Sequence, residues 1–125
     1  MQKFINFTNH LSSKWGEKQI QCARIYGEIK DIPFPNISPY ITDEEFCLLA
    51  EKYINILISE KPCCVLCQGE SVFATLIVSM LLKNNIPVVA AVSERRVKER
   101  IDDGQTIKTV VFEFVKFRKY VIINW

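Results

Sequence analysis

The chain has 125 residues, 49% of them apolar and 24% charged, with four glycines and a formal net charge of +2. That size can bury one core without disulfides or metals, and that composition excludes a disordered or fibrous chain. A net charge so near zero gives no whole-surface field of the kind that draws a protein onto long nucleic acid or an anionic membrane.

The opening stretch "MQKFINFTNHLSSKWGEK" has no apolar core of signal-peptide length, and the longest apolar-rich run, "VFATLIVSMLL", is about half of what a bilayer span requires. The cysteines number five and lack the rhythm of a secreted scaffold, so reduced thiols in a reducing compartment are expected. Together these features predict a cytoplasmic protein with one domain over residues 1–125 and no membrane segment.

In chain order, Lys3 to Phe7 ("KFINF") is β-prone and ends in the polar "TNHLSS". Trp15, Cys22, Ala23 and Tyr26 then fall at helical spacing, with Gly27 as a stop. "EIKDI" reads as a second short strand, and "PFPNISP" as an extended connector, because each proline removes a donor and biases its predecessor away from helix. Thr42 and Glu45 form a T-x-x-E capping box ahead of Phe46, Leu49, Ala50, Tyr53, Ile54 and Leu57, which mark one helical face; Lys61-Pro62 ends it.

"CCVLC" reads as a buried strand, "QGES" as a turn and "VFATLIVSMLLKNN" as an apolar helix, followed by "IPVVAAV", a central parallel strand covered on both faces. "SERRVKER" comes next, then the turn signal "DDG" and the β-prone "TIKTVVFEFVKF", which suggest a hairpin or a terminal antiparallel excursion. The pattern predicts an α/β fold: a Rossmann-like, mainly parallel sheet with helices on both faces and a C-terminal β-hairpin.

In an open parallel sheet, ligands bind beyond the carboxyl ends of the strands. The residues there are Thr8-Asn9-His10, Pro33-Phe34-Pro35, Gln68-Gly69-Glu70-Ser71 and Ser93-Glu94-Arg95-Arg96. The C-x-x-C of Cys64 and Cys67 lies within a strand, where residues three apart point to opposite faces, while Cys63 and Cys67 should share one. Buried thiols acting as small hydrophobes account for it better than a redox or zinc pair.

Gln68 to Ser71 stands where free N–H groups and the helix dipole can receive a phosphate or ribose edge; Gly69 permits close backbone approach and Ser71 can cap the helix. An ordinary capped turn is the other reading. Arg95 and Arg96 add guanidiniums suited to phosphate, against the alternative of a solvated charged face continued by Lys98, Glu99 and Arg100. His10 is the chain's single histidine, the residue type whose ordinary pKa lies near neutrality, and a loop hydrogen-bonder is its plainer role. No Asp/Glu/His cluster is apparent for Mg²⁺ or Zn²⁺, so neither a metal nor any other cofactor is expected, and phosphoryl chemistry would run without metal.

Taken together, "NFTNHLSSKW" with Gln19, "DIPFP", "VLCQGES", "VVAAVSERRVKE", "DDGQTIK" and "FEFVKFRKY" resemble the small stand-alone CRISPR-associated ring nucleases, relatives of the CARF domains, over nearly the whole chain in order. The resemblance implies a homodimer whose two ligand rims face each other across a twofold axis and bind cyclic tetra-adenylate, the messenger of type III CRISPR defence. It implies a metal-independent attack of a ribose 2′-OH on its own 3′-phosphodiester. On that resemblance Thr8 and His10 match the first-strand motif, with Asn9 between them as a further ligand-binding residue, and Gln68, Gly69, Glu70 and Ser71 match the ribose and phosphate turn. Ser93, Arg95 and Arg96 match the catalytic rim, with Arg118 on the last strand. Arg95 or Arg96 would stabilise the pentacoordinate phosphate, and His10 or Ser93 would position or protonate a ribose oxygen. The chain departs from the family pattern at Asn9, between Thr8 and His10, and at Glu70, where aspartate is common. A non-catalytic sensor or sponge of the same fold is the alternative that the same residues allow.

Overall fold

The computed structural model describes residues 2–123; residues 1, 124 and 125 of the expected 1–125 domain lie outside the described residues. A mixed five-stranded sheet in the order β2-β1-β3-β4-β5 forms the centre. Its strands are β1 (Lys3–Phe7), β2 (Glu28–Asp31), β3 (Cys64–Cys67), β4 (Val88–Asp102) and β5 (Gln105–Lys119). The pairs β2/β1, β1/β3 and β3/β4 are parallel, and β4/β5 is antiparallel. The fold is therefore α/β, with a mainly parallel core and a C-terminal hairpin.

Strand alternation sorts the core into two layers. Ile5, Phe7, Val65, Cys67 and Val88 meet α2 (Asp43–Ser59) and α3 (Ser71–Lys83) on one face. Phe4, Cys64, Leu66 and Val89 meet α1 (Glu17–Tyr26) on the other. Both faces of β1 and β3 are thus covered, so every residue of β3 is buried and no polar alternation survives there.

Local chemistry explains the helix ends. Thr42 Oγ1 accepts the Glu45 N–H at 3.1 Å, and Asp43, Glu44 and Glu45 place three carboxylates at the positive end of the α2 dipole. Gly27 ends α1 for a steric reason: its φ of 166° is ordinary extended backbone, but a Cβ there would stand 2.5 Å from the Gln2 carbonyl oxygen. Asn85, at φ 60°, turns the chain out of α3 in the left-handed region that asparagine tolerates.

The structure departs from the sequence reading in four places. β4 does not stop at Val92 but runs on through Asp102, so Ser93 to Arg96 are strand residues and not a post-strand loop. Ser71 does not cap α3: Glu70 does, its carboxylate accepting the N–H groups of Val72 at 3.2 Å and Phe73 at 2.7 Å. Cys63 precedes β3 and packs on the α1 side, so it does not share a face with Cys67. "EIKDI" yields a strand only over Glu28–Asp31.

β4 leaves β3 after Leu66↔Val89, while its pairing with β5 continues to Asp102↔Gln105. Residues beyond Val92 therefore form a two-stranded arm, closed by Asp103 (φ 49°) and Gly104 (φ 75°), the two positive-φ residues that a type I′ hairpin turn requires. Where the arm leaves the sheet, Val92 pairs with Lys116 and Ser93 with Phe114, so Val115 is the extra residue of a β-bulge. Among the described residues no helix is long and apolar enough to cross a membrane.

Candidate functional site: a cleft at the strand ends

From β1 the chain moves outward to β2, and from β3 it moves the opposite way to β4, so the direction reverses between β1 and β3. Loops leaving two such neighbours diverge and open a crevice at the carboxyl ends. A cleft of about 980 Å³ lies there, bounded by the loop after β1, the loop after β3, the start of α1 and the base of the arm. Its volume is at the upper end of the range for small-molecule sites.

The first wall is held from below by Asn6, a polar side chain 1% exposed in the apolar run of β1. Asn6 Nδ2 donates to the His10 carbonyl at 2.7 Å and to Asp31 Oδ1 at 2.8 Å, while its Oδ1 accepts the Thr8 hydroxyl at 2.8 Å. Thr8 Oγ1 accepts the His10 N–H at 3.1 Å, and Asp31 accepts both the N–H and the hydroxyl of Ser12. Each burial cost is met by a partner, and the bonds pin the 8–12 turn at both ends. Asn9 and His10 are exposed and line the cleft above this network; Thr8 lines it too, with its hydroxyl turned to the network.

On the β3 side, Gln68 Oε1 accepts the Ala91 N–H at 2.9 Å. This bond continues the β3/β4 ladder with a side chain at the point where the two strands part. Gly69 is required by packing: a Cβ would stand 2.5 Å from the Phe34 ring, which is buried against Phe7 and Phe73. Gln68 and Gly69 line the cleft; Glu70 and Ser71 do not. The Glu70 carboxylate already occupies the N–H groups at the start of α3, so the place where an external phosphate was expected carries an internal anion.

At the arm, Ser93 lines the cleft together with Phe112 and Phe114. Arg95 and Arg96, adjacent on a strand, face opposite sides and cannot serve one site together. Arg95 shares the cleft-side face with Ser93 and stands across from Phe112. Arg96 lies on the other face, bound to Glu94 at 3.0 Å and to Glu113 at 3.3 Å, and both carboxylates raise its pKa. Arg118 pairs with Ala90, one position off the α1-side pair Ala91↔Phe117, and is not brought to the cleft.

Several cleft residues carried no role in the sequence reading. Lys14 and Lys18 bring two ammonium groups from the 3₁₀ turn Ser12–Lys14 and the first turn of α1. Trp15 is held edge-on by Phe4 with ring centres 6.5 Å apart. Phe112, 71% exposed, lines the same cleft from the arm. Phe114 and Phe117, 4.9 Å apart, share the α1 side only because the Val115 bulge offsets their odd spacing. The C-x-x-C, by contrast, is inert. Burial pushes both Cys64 and Cys67 up to about 12, and the two thiols belong to opposite core layers. Among the described residues no three His, Cys, Asp or Glu side chains gather as metal ligands.

Residues 2–118 match a family model described as the Uncharacterized protein MJ1673 family. The chain belongs to that family. The matched span contains every residue that lines the cleft and the whole arm. No curated protein and no solved structure matches the chain.

Proposed function

We propose that this member of the MJ1673 family is a cytoplasmic ring nuclease with a Rossmann-like, CARF-related fold, which binds cyclic tetra-adenylate as a homodimer and cleaves it without a metal cofactor. The observation that carries the reading is the make-up of the cleft. Hydroxyl, amide and imidazole groups of Thr8, Asn9, His10, Gln68 and Ser93 meet two lysines, the carboxylates of Glu17 and Glu113, and the rings of half-buried Trp15 and exposed Phe112 at a chain reversal between parallel strands. Lysines neutralise phosphates, and Trp15 and Phe112 offer flat surfaces on which purines stack.

In the proposed reaction a ribose 2′-oxygen bonds to the neighbouring phosphorus while the bond from that phosphorus to the 5′-oxygen breaks. The 2′-OH loses its proton and the departing 5′-oxygen gains one, leaving a linear product with a 2′,3′-cyclic phosphate. His10 is the cleft group suited to move the proton, and Ser93 orients the ribose. Lys14, Lys18 and Arg95 offset the charge on the equatorial oxygens. The rest of the rate comes from holding the attacking and leaving oxygens in line.

A binding-only reading is favoured by the arginines: among the described residues none lines the cleft wall, Arg95 standing beyond it on the face of Ser93, and Arg96 is engaged by two carboxylates. Incubation with radiolabelled cyclic tetra-adenylate in EDTA separates the two. Linear product supports the nuclease, retention of the intact ring supports the sponge, and absence of binding removes both. For the nuclease, His10→Ala is expected to lower turnover by about 10²–10⁴-fold. Arg95→Ala should slow it, and Arg96→Ala should leave it within a few-fold.

A further inference from the structure

The arm is the least supported part of the molecule. Ser93 to Asp102 would extend roughly 30 Å at the usual rise of a strand, with no neighbour but β5 among the described residues. An isolated two-stranded ribbon is marginal in water. One of its faces carries exposed apolar side chains, Val97 (50% exposed) and Val110 (46%) at the middle, Phe112 (71%) toward the base and Ile101 (81%) toward the tip, with Arg95, Glu99 and Lys108 among them. The other face carries the ion pairs of Arg96 and Lys98 with Glu113.

We infer that this apolar face is the docking surface for a second copy of the chain, arm against arm, with each hairpin tip closing the partner's cleft. Its charge pattern is self-complementary. A twofold axis through the Val97/Val110 pair, lying between the two ribbons and across the strands, relates position 95 to position 99, so Arg95 of each copy faces the partner's Glu99. The same operation brings Lys108 against the ring at 112, a cation over an aromatic face. Val97 and Val110 meet their own images, as an isologous contact demands. Glu99 keeps Lys108 of its own chain at 3.7 Å, too long to saturate its carboxylate.

The body selects this orientation. α1 stands on the same side of the sheet as the apolar face. Stacked ribbons lie only about 10 Å apart, whereas two helices about 10 Å thick would have to fit between the bodies if the arms ran parallel. With the arms antiparallel, each α1 lies beyond the partner's tip. Position 101 then falls over position 93, and position 106 over position 114, which places Ile101 and Thr106 on Ser93 and Phe114 at the cleft mouth. Cleavage is not among the readouts of this inference, so it and the proposed function can fail separately.

The test is sedimentation velocity over a dilution series, with circular dichroism as a check on folding. The wild-type chain should self-associate. Arg95→Glu and Glu99→Arg should each weaken association by tenfold or more, and the double exchange should restore it. In a Cys47→Ser background, Val97→Cys should give a covalent dimer with a short bis-maleimide, since Cα atoms of packed ribbons are too far apart for a direct disulfide. Lys98→Cys, on the opposite face, should not. A monomer at every concentration, a double exchange no better than the single changes, or equal crosslinking at 97 and 98 would overturn the inference.

Discussion

β4 lives in two environments. Its first residues, Val88 and Val89, lie between β3 and β5 with helices above and below, and both are buried. Its last residues, from Ser93 to Asp102, have β5 alone and are exposed. Ladder hydrogen bonds are the same in both halves, so hydrogen bonding does not make the difference. What differs is apolar surface removed from water, the term that outweighs the entropy of ordering a strand. The base of the sheet is fixed by its own chain, and the arm takes its order from turn chemistry, cross-strand pairs and whatever covers it.

The largest expected effect concerns how firmly the base of the sheet is closed to solvent. Cys64 and Cys67 should react with a thiol reagent at mildly alkaline pH on the order of a thousandfold more slowly than exposed Cys47, because their labelling waits for opening of the central strand. Mass-resolved labelling kinetics read this, and comparable rates would mean that the base of the sheet is loose. Next comes Phe7→Ala. The ring is fully buried with Phe34 at 5.0 Å and Tyr53 at 5.5 Å, so its loss should cost about 3–5 kcal/mol in urea denaturation.

Asn6→Ala tests the junction between the base and the cleft. It removes the partner of the His10 carbonyl, the Asp31 carboxylate and the Thr8 hydroxyl, and should cost about 1–3 kcal/mol. Faster amide exchange over residues 8–12 should accompany it.

Smaller effects come from surface charge. Hydrogen bonds from Lys3, at 2.8 Å, and from Lys30 hold the Glu60 carboxyl below its ordinary value of 4.5. A depressed carboxylate contributes stability above its unfolded pKa and loses it as pH falls through the folded one. Glu60→Gln should therefore melt slightly below wild type at neutral pH, and the gap should close on acidification past the ordinary glutamate range. Arg96→Ala, on the exposed back of the arm, should leave the melting midpoint unchanged within error, since pairs so exposed are screened.

The legible parts of the molecule are those written locally. Thr42 and Glu45 announce α2 three residues apart, Asp103-Gly104 announces the hairpin, and "CCVLC" is apolar enough to be central whatever surrounds it. The length of β4 was hidden because "SERRVKER" is wet on both faces and shows neither a period of two nor an apolar run. Its strand is imposed by β5, whose matching register lies outside any local window. At the cleft, Thr8-Asn9-His10 and Gln68-Gly69 were readable as strand ends, whereas Ser93 reaches the cleft from within β4 and not from the strand end expected there. Asn6 was not, because its role depends on Asp31, 25 positions away. Nor did spacing alone separate Glu70 from Ser71, since either side chain can cap a helix.

Val115 sets the aim of the arm. Phe112, Phe114 and Phe117 break strict alternation at one point, and the extra residue absorbs the mismatch by bending the strand without disturbing the pairs beyond it. Deleting Val115 would leave Ser93 opposite Phe114 and every outer pair in place while swinging the ribbon to a new angle. The molecule thus carries an adjustable joint one residue long, through which the direction of the arm can drift in evolution while body and hairpin keep their sequences.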